Sequence, residues 1–394
     1  MKKRILILIL LFIAGSYLLY ISCKPIEVLK ETKEELKAIF ISYIDYNTLK
    51  GKNSDDQKKQ IDKMINNIND FGLNTIILQV RPFADAIYES KLFKPSLTVS
   101  KSEDTPLELD ILKYFLDKSH EKNIKVHAWI NPYRIRSTND MNDISTKSIF
   151  YPWLEDSTNI EISKSGIYFN PASVDTISLI VNGVEEIIRY YDVDGIIYDD
   201  YFYPNETIDL KNYEDYIVEG GKLTLEEYRI NNVNTLIKKT YDTIKQIDKN
   251  ILFGISPAGN ISNNLNHEYL DIKFLLNNEG YLDYIMPQIY FGFENKNQPY
   301  LKTIKEWNNL IKVDNINLYV ALGIYKSGSV DGYALTGENE WIDNTDIIKK
   351  QVIVSRNESK YEGFSIFRYD FLFNKSKEND NLLKEINNLK QLIE

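Results

Sequence analysis

Along the chain, short runs of β-branched and aromatic residues alternate with longer segments in which apolar residues recur at helical spacing. Strands are predicted at residues 38–44, 75–81, 126–130, 195–199, 252–256, 284–289, 318–323 and 363–367. Helices are predicted near residues 55–71, 107–122, 173–190, 226–247, 268–278, 298–312, 344–357 and 379–393. Alternating strands and helices predict a parallel sheet, and eight such units predict a single closed (β/α)₈ barrel, the TIM barrel.

The predicted connections differ in length at the two ends of this barrel. Those from a helix to the next strand are short, whereas several from a strand to the next helix are long, at 134–172, 200–225, 257–267 and 324–343. The extended βα loops therefore lie where the carboxyl ends of the strands emerge, the face that holds the active site in such barrels. A doubly wound open sheet is the competing architecture. The loop asymmetry, the eight-fold count and the lack of a glycine-rich phosphate loop favour the barrel.

The first 22 residues have the pattern of a signal peptide or an uncleaved membrane anchor. Lys2, Lys3 and Arg4 precede an almost wholly apolar run that ends at Ile21. Cys23, the single cysteine, follows this run as in bacterial lipoproteins, so we expect it to be lipidated, although Tyr20 stands where that motif prefers leucine. The alternative is an incidental cysteine beside an uncleaved span. Residues 23–37 are predicted to be a charged tether, and residues 38–394 an extracytoplasmic domain attached to the membrane.

Composition narrows the functional classes. The chain has 394 residues, a net charge of −10 and 43% hydrophobic residues, which suits a large globular core. The acidic balance argues against nucleic acid as a partner, because such binding depends on Lys and Arg neutralising phosphates. Only three histidines are present, none at ligand spacing, so neither a metal site nor a cofactor is expected.

Polar and aromatic side chains cluster where the predicted strands end, and such a mixture is typical of sugar-binding sites. Asp199 directly follows the apolar fourth strand, so the fold would aim its carboxylate into the barrel mouth. At the end of the sixth strand, Gln288 and Tyr290 are candidates for substrate binding. We therefore expect Asp199 to be catalytic.

Cleavage of a glycosidic bond normally requires two carboxyl groups. The sequence does not single out the second. Asp200, Asp85 and Asp370 are the candidates by position, and an N-acetyl group on the substrate can replace a second carboxylate as nucleophile. Asp200 is the preferred second catalytic residue, although it is as well explained as a loop cap because alternation turns it away from Asp199.

Alternation along the third strand places His127, Trp129 and Asn131 on one face, toward the barrel interior. For His127, a structural hydrogen bond inside the barrel is at least as good an explanation as proton transfer. Arg81 and Arg134 are candidates to bind a carboxylate or sugar oxygens, or else to pair with a structural aspartate.

Several segments together resemble one known family. They are Leu78-Gln79-Val80-Arg81-Pro82 with Asp85, Val126–Arg134, Asp194–Tyr203, Gly254–Gly259 and Pro287–Tyr290. In this order they resemble the bacterial glycosyl-hydrolase-like ten family, exported and often lipidated (β/α)₈ proteins associated with cell-envelope glycans. The resemblance runs from about Ala38 to Asp370.

The resemblance implies hydrolysis of a glycan, with peptidoglycan strands as the foremost substrate. It also implies a set of groove-lining residues: Arg81, Asp85, His127, Trp129, Asn131, Arg134, Asp199, Asp200, Tyr201 and Gln288. One departure is Tyr369, which stands where the family has an acidic residue after the arginine of the eighth strand. A role for the eighth strand is therefore an open question at this point.

Two hypotheses of different classes follow. The first is a glycosidase that acts on an envelope polysaccharide through Asp199. The second is a surface protein that binds glycans without cleaving them, motivated by the missing second carboxylate. A two-lobed binding protein for small solutes is disfavoured by the eight-unit pattern.

Overall fold

The fold is a closed barrel of eight parallel strands, as the sequence predicts. The computed structural model describes residues 34–199, 201–375 and 379–393. Numbered by chain order, each strand pairs with its sequence neighbours, and β1 pairs with β8 to close the ring. The strands are β1 (Leu36–Ile41), β2 (Thr75–Arg81), β3 (Lys125–Ile130), β4 (Gly195–Tyr198), β5 (Leu252–Ile255), β6 (Tyr284–Ile285), β7 (Asn317–Leu322) and β8 (Tyr361–Ile366).

The helices surround the barrel and cover its outer face. They are α1 (Ser54–Phe71), α2 (Ile111–His120), α3 (Val174–Tyr190), α4 (Leu210–Val218), α5 (Leu225–Ile247), α6 (Ile261–Glu268), α7 (Ile272–Asn277), α8 (Tyr300–Leu310), α9 (Glu340–Asp343), α10 (Ile347–Ser355), α11 (Tyr369–Phe373) and α12 (Asp380–Ile393). Local sequence sets their ends. Asn53 caps α1 by accepting from the Asp56 amide, Gly72 ends α1 at φ 86°, and Thr224 with Glu227 forms a capping box on α5.

Two apolar cores flank the strands, because strands covered on both sides must be apolar on both faces. One face of each strand packs against the helices in the larger core. The other face fills the barrel interior with a smaller cluster: Leu36, Ala38, Phe40, Ile77, Trp129, Ile197, Tyr284, Met286, Tyr319 and Ala321. The barrel interior is therefore packed rather than open.

The long loops lie at the carboxyl ends of the strands, as expected, and contain structure of their own. The β3–α3 connection forms a small antiparallel sheet of Arg134–Arg136, Ile160–Ser163 and Gly166–Phe169. The β4–α5 connection contains α4, and the β2–α2 connection pairs Asp85–Ala86 with Lys94–Pro95. Short 3₁₀ turns are Tyr43–Thr48, Tyr151–Glu155, Ile324–Lys326 and Gly332–Gly337.

The sixth strand is shorter than the sequence indicated, at Tyr284–Ile285 instead of 284–289. Pro287 explains the difference, because proline has no amide hydrogen to donate to a neighbouring strand. Beyond Pro287 the chain still follows the barrel, since Gln288 forms isolated bridges with Ala258 and Ala321. The barrel wall is therefore continuous up to Gln288.

The predicted N-terminal segment at 1–22 and Cys23 lie outside the described residues, and so does most of the predicted tether. The last two tether residues, Leu36 and Lys37, belong to β1 because they pair with Gly363 and Phe364 of β8. In the part of the chain that the structure describes, no helix combines the length and apolar character needed to cross a bilayer.

Candidate active site

A pocket opens at the carboxyl ends of the barrel strands and has a volume of about 210 Å³. Residues of β1, β2 and β3 and of the segments that follow β1, β3, β4, β5, β6 and β8 form its wall. They are Phe40, Ser42, Tyr43, Ile44, Gln79, Trp129, Arg134, Asp199, Tyr201, Ser256, Gln288, Tyr290 and Phe367. Because the pocket combines aromatic rings with a carboxylate, amides and a guanidinium, it suits a sugar ring with its hydroxyl groups.

Asp199 lies in this pocket with its side chain held by two neighbours. It is two residues beyond the inward-facing Ile197, so the strand alternation points it into the barrel. Asp199 is only 3% exposed. Its Oδ2 accepts hydrogen bonds from the indole Nε1 of Trp129 at 3.1 Å and the amide Nδ2 of Asn131 at 3.2 Å. Two N–H donors on one oxygen stabilise the negative charge and fix the direction of the carboxylate.

A row of contacting aromatic rings, from Trp129 through Phe40 and Phe367 to Tyr290, forms the floor and one side of the pocket. The Phe40 ring meets Trp129 edge-on, with centroids 5.4 Å apart, and also contacts Phe367 at 5.7 Å. Phe367 in turn lies 5.7 Å from Tyr290, with the two planes inclined at 34°. Such contacts fix the rings, so the pocket presents a rigid apolar surface next to the Asp199 carboxylate.

The structure brings together several of the residues predicted from the sequence. Asp199, Trp129, Arg134, Tyr201, Gln288 and Tyr290 all line the pocket. Asn131 is buried behind the wall and contacts Asp199. Asp200 lies outside the described residues, so its predicted catalytic role stays a prediction.

Arg81 does not line the groove, contrary to expectation. Strand alternation would place it inward with Ile77 and Gln79, but the β2–β3 register shifts between Gln79 and Arg81. The irregularity turns Arg81 outward, where it is fully buried with its guanidinium 3.5 Å above the centre of the Phe93 ring, beside Gly183 of α3. Arg81 therefore belongs to the core between strand and helix.

Asp85 also lies away from the pocket, so its predicted place in the groove is not supported. It is fully buried in the small sheet with Lys94–Pro95, near the ion pair of Arg136 and Glu103. Burial raises the pKa of Asp85 to about 6, although a hydrogen bond from Ser96 and the charge of Arg136 oppose the rise.

Asp85 should make protein stability depend on pH in a defined window. Its folded pKa lies above the unfolded value of 3.8, so it stabilises the fold below pH 4, and this contribution is lost as the pH rises through 6. As the pH rises from 4 to 7, the native protein should lose up to about 3 kcal/mol of unfolding free energy through the ionisation of Asp85. Asp85→Asn, which cannot ionise there, should not show this loss. Urea unfolding of both proteins measures this. A constant difference between them would contradict the prediction.

His127 faces the barrel interior as the alternation predicted, but deeper than the pocket. It is fully buried, with Nδ1 2.9 Å from the Tyr284 hydroxyl. Burial lowers the pKa of His127 to about 4. The structural explanation for His127 therefore fits better than groove lining or proton transfer, because a side chain below the pocket floor has no access to substrate.

We expect His127 to remain neutral from pH 8 to pH 5. A histidine in a short peptide takes up a proton near pH 6.5. Burial lowers the pKa of His127 from this value to about 4. The neutral ring therefore stabilises the fold above pH 6.5, and this stability is lost as the pH falls from 6.5 toward 4. NMR titration of the His127 ring protons tests this, since a midpoint near 6.5 would contradict it.

The end of β1 contributes a part of the pocket wall that the sequence pattern does not predict. Phe40, Ser42, Tyr43 and Ile44 all line the pocket. The sequence pattern predicts that residues 42–44 belong to the first strand, but β1 ends at Ile41 and the chain turns into a 3₁₀ segment. Only their place in the chain could have indicated this role, because they directly follow a strand whose carboxyl end lies at the barrel mouth.

A buried ion pair fastens this β1 wall to the end of β8. Asp45 accepts a hydrogen bond from Arg368, and its other oxygen accepts from the Ser42 amide and hydroxyl at 2.8 and 2.9 Å. Asp370, a candidate second carboxylate, does not line the pocket and lies beside this pair. The carboxylate for the eighth-strand arginine thus comes from Asp45, whereas the Tyr369 hydroxyl accepts from Asn67.

Comparison with known proteins agrees with this architecture. The family model described as Glycosyl hydrolase-like 10 matches residues 35–343. Among curated relatives, Glycosyl hydrolase YngK of Bacillus subtilis is 29% identical over 348 residues, covering 82% of this chain and 67% of the relative. Glycosyl hydrolase DigH of Escherichia coli K12 is 30% identical over 342 residues, covering 80% and 76%.

Two solved structures share the fold at low sequence identity. The glycoside hydrolase domain of PgaB (BpsB) from Bordetella bronchiseptica has a TM-score of 0.54 and 10% identity, covering 90% of this chain and 98% of that one. The endo-1,4-beta-mannanase of Rhizomucor miehei has a TM-score of 0.56 and 8% identity, with coverage of 93% and 96%. Both likenesses concern the barrel fold.

Proposed function

The chain belongs to the glycosyl hydrolase-like 10 family, and we propose that it is a glycosidase that cleaves a cell-envelope polysaccharide, peptidoglycan glycan strands foremost, with Asp199 as the principal catalytic carboxylate. The observation that carries the proposal is the position of Asp199. Its carboxylate is buried at the end of β4, oriented by Trp129 and Asn131, and lies in an aromatic-lined pocket.

The geometry suits stabilisation of positive charge on a sugar. Glycoside cleavage passes through an oxocarbenium-like transition state, in which positive charge develops at the anomeric carbon and ring oxygen. A carboxylate fixed in direction by two N–H donors is already oriented for that charge, so little reorganisation is needed during the reaction. Next to it, the Trp129 and Phe40 rings offer an apolar face to the sugar ring.

The second catalytic group is proposed to be Asp200, on the strength of its place beside Asp199 in the sequence. Asp200 lies outside the described residues, so this assignment rests on order in the chain alone. The substrate's own N-acetyl group remains the alternative for the nucleophilic role.

We place the enzyme outside the cytoplasm, attached to the membrane by a lipid on Cys23. The basic and apolar pattern of the first 22 residues supports this location. In cells fed radiolabelled palmitate, the full chain should become labelled and Cys23→Ser should not. Equal labelling of both proteins would refute attachment through Cys23.

A glycan-binding protein without hydrolytic activity is the second candidate for this site. One observation favours it, because Asp199 is the only carboxylate among the described residues that line the pocket. Binding alone needs aromatic stacking and hydrogen bonds, which the pocket supplies.

Incubation of the full chain, in detergent, with purified peptidoglycan separates the two functions. Hydrolysis produces new reducing ends together with soluble fragments that mass spectrometry identifies. We expect both. Retention of the protein on the polymer without any new reducing ends over a long incubation would support the binding function instead.

A further inference from the structure

Among the arginines that the structure describes, Arg134 is distinguished by its place in the pocket wall and by the lack of a carboxylate partner. There are seven, and five of them, Arg136, Arg189, Arg229, Arg356 and Arg368, form salt bridges with carboxylates. A sixth, Arg81, is buried above a phenyl ring. Arg134 lines the pocket without a carboxylate partner among the described residues. We propose that Arg134 binds a carboxylate carried by the sugar substrate and so determines specificity for an anionic glycan.

Three aromatic rings enclose the Arg134 guanidinium. It lies 4.8 Å from the centre of the Phe83 ring, 5.3 Å from Tyr201 and 5.9 Å from Tyr43. Tyr43 and Phe83 in turn contact each other edge-on at 5.4 Å. Rings packed beside a cation displace part of its water and hold it in place, which strengthens its attraction for an anion that enters the same space.

The hydrogen-bond donors of Arg134 are largely uncommitted. Its Nε and Nη2 both approach the carbonyl oxygen of Pro82 at 3.4 Å, a long distance for such bonds. A guanidinium has five N–H donors in a planar fork that matches the two oxygens of a carboxylate. Arg134 can therefore keep its contact with Pro82 and still donate to a ligand.

The positive charge of Arg134 contrasts with the negative net charge of the protein. With a net charge of −10, the chain repels anions in general. A lone guanidinium in the same pocket as Asp199 thus creates a local site for a negative group. A neutral sugar would need only partners for its hydroxyl groups, and the side-chain amides of Gln79 and Gln288 line the same pocket.

The ligand is a sugar that carries a carboxylate, either the lactyl ether of N-acetylmuramic acid or a uronic acid. This inference rests on the proposed function, because it assumes that the pocket is where the glycan is cleaved. It adds that recognition of the negative group occurs at Arg134.

The test uses matched substrates and matched variants. Synthetic oligosaccharides of N-acetylglucosamine and N-acetylmuramic acid are prepared with the lactyl carboxylate free or converted to a neutral methylamide. The full-length native protein, Arg134→Gln and the control Arg189→Gln are compared by kcat/KM on both. Arg189 is a surface residue of α3 paired with Glu185, so its replacement removes a positive charge far from the pocket. Circular dichroism verifies that each variant is folded.

We expect the native protein and Arg189→Gln to prefer the free carboxylate by about 10- to 100-fold, the range for a hydrogen bond to a charged group. For Arg134→Gln the ratio of kcat/KM on the two substrates should fall to about 1, because its kcat/KM on the free carboxylate falls more than its kcat/KM on the methylamide. Equal rates of the native protein on both substrates would overturn the proposal. It would also be overturned if Arg134→Gln lost activity equally on both substrates.

Failure of the proposed function has a separate signature. If the native protein cleaves neither oligosaccharide, thermal unfolding is measured with uronic acid oligosaccharides and with their neutral reduced forms. Stabilisation by the uronates in the native protein but not in Arg134→Gln would uphold anion recognition while peptidoglycan is rejected as substrate. If neither the uronates nor the free muramyl oligosaccharide stabilises the native protein, the role of Arg134 is refuted.

Discussion

Replacement of Asp199 by asparagine should lower kcat on peptidoglycan by about 10³-fold, within the range of about 10²- to 10⁴-fold that a positioned acid or base contributes. The substitution keeps the shape of the side chain but removes its negative charge. An amide cannot act as nucleophile or base, and it does not attract the positive charge of an oxocarbenium-like transition state. The measurement is the rate of appearance of reducing ends under saturating substrate.

A matched control for this variant is Asp85→Asn. Asp85 is also a buried carboxylate near the end of a strand, but it lies away from the pocket. Its amide variant should therefore retain near-native kcat. Binding of Asp199→Asn to the polymer should persist, because the aromatic wall is unchanged. Equal kcat for Asp199→Asn and the native protein would remove Asp199 from the mechanism.

The second large effect concerns the buried ion pair of Asp45, which follows β1, and Arg368, which follows β8. Asp45→Ala should reduce the unfolding free energy by about 3 to 5 kcal/mol, the usual consequence of removing one partner from a buried pair. Arg368 would be left buried with only the more distant Asp370, at 3.8 Å, as a partner, and the Ser42 amide and hydroxyl would lose their acceptor. Urea unfolding followed by circular dichroism gives the value.

Burial raises the pKa of Asp45 above its usual value even though Arg368 opposes this. Formation of the buried pair therefore carries a large desolvation penalty, and its loss is damaging mainly because one charge is stranded. The double variant Asp45→Ala with Arg368→Met should consequently be less destabilised than the sum of the two single variants. Additive losses would mean that the two side chains do not act as a pair.

The neighbouring Asp370 supplies the control for Asp45. It is more exposed and contacts Lys375 at 3.3 Å and Arg368 at 3.8 Å. Asp370→Ala should destabilise the protein by less than about 1 kcal/mol, as for exposed ion pairs. If Asp370→Ala were as damaging as Asp45→Ala, the assignment of Asp45 as the main partner of Arg368 would be wrong.

The barrel could be predicted because its signals are local and repeated. Each strand is a run of residues that favour the pleated conformation, such as Thr75–Arg81, in which every residue is buried. The ends of the strands were less predictable. The sixth strand, for example, is shorter than predicted because Pro287 cannot donate a backbone hydrogen bond to a neighbouring strand. The sequence also assigned residues 257–267 to a loop that in fact contains α6.

Within the site, the sequence identified residues whose direction follows from simple alternation. Asp199, Trp129 and Gln288 are of this kind. Arg81 was misplaced because the register shift in β2 reverses the alternation, and a bulge has no clear signature in one sequence. The partnership of Asp45 with Arg368 was missed because it joins residues 323 positions apart, which only closure of the barrel brings into contact.

The central claim is that the Asp199 carboxylate acts directly on the scissile bond of a bound glycan. A crystal structure of the native protein with a thio-linked, uncleavable analogue of the glycan strand tests this most directly. We predict a sugar ring on the Trp129 and Phe40 rings, with an Asp199 carboxylate oxygen within about 3.5 Å of the reacting atoms. An analogue bound with its scissile linkage far from Asp199, or on another face of the barrel, would contradict the account.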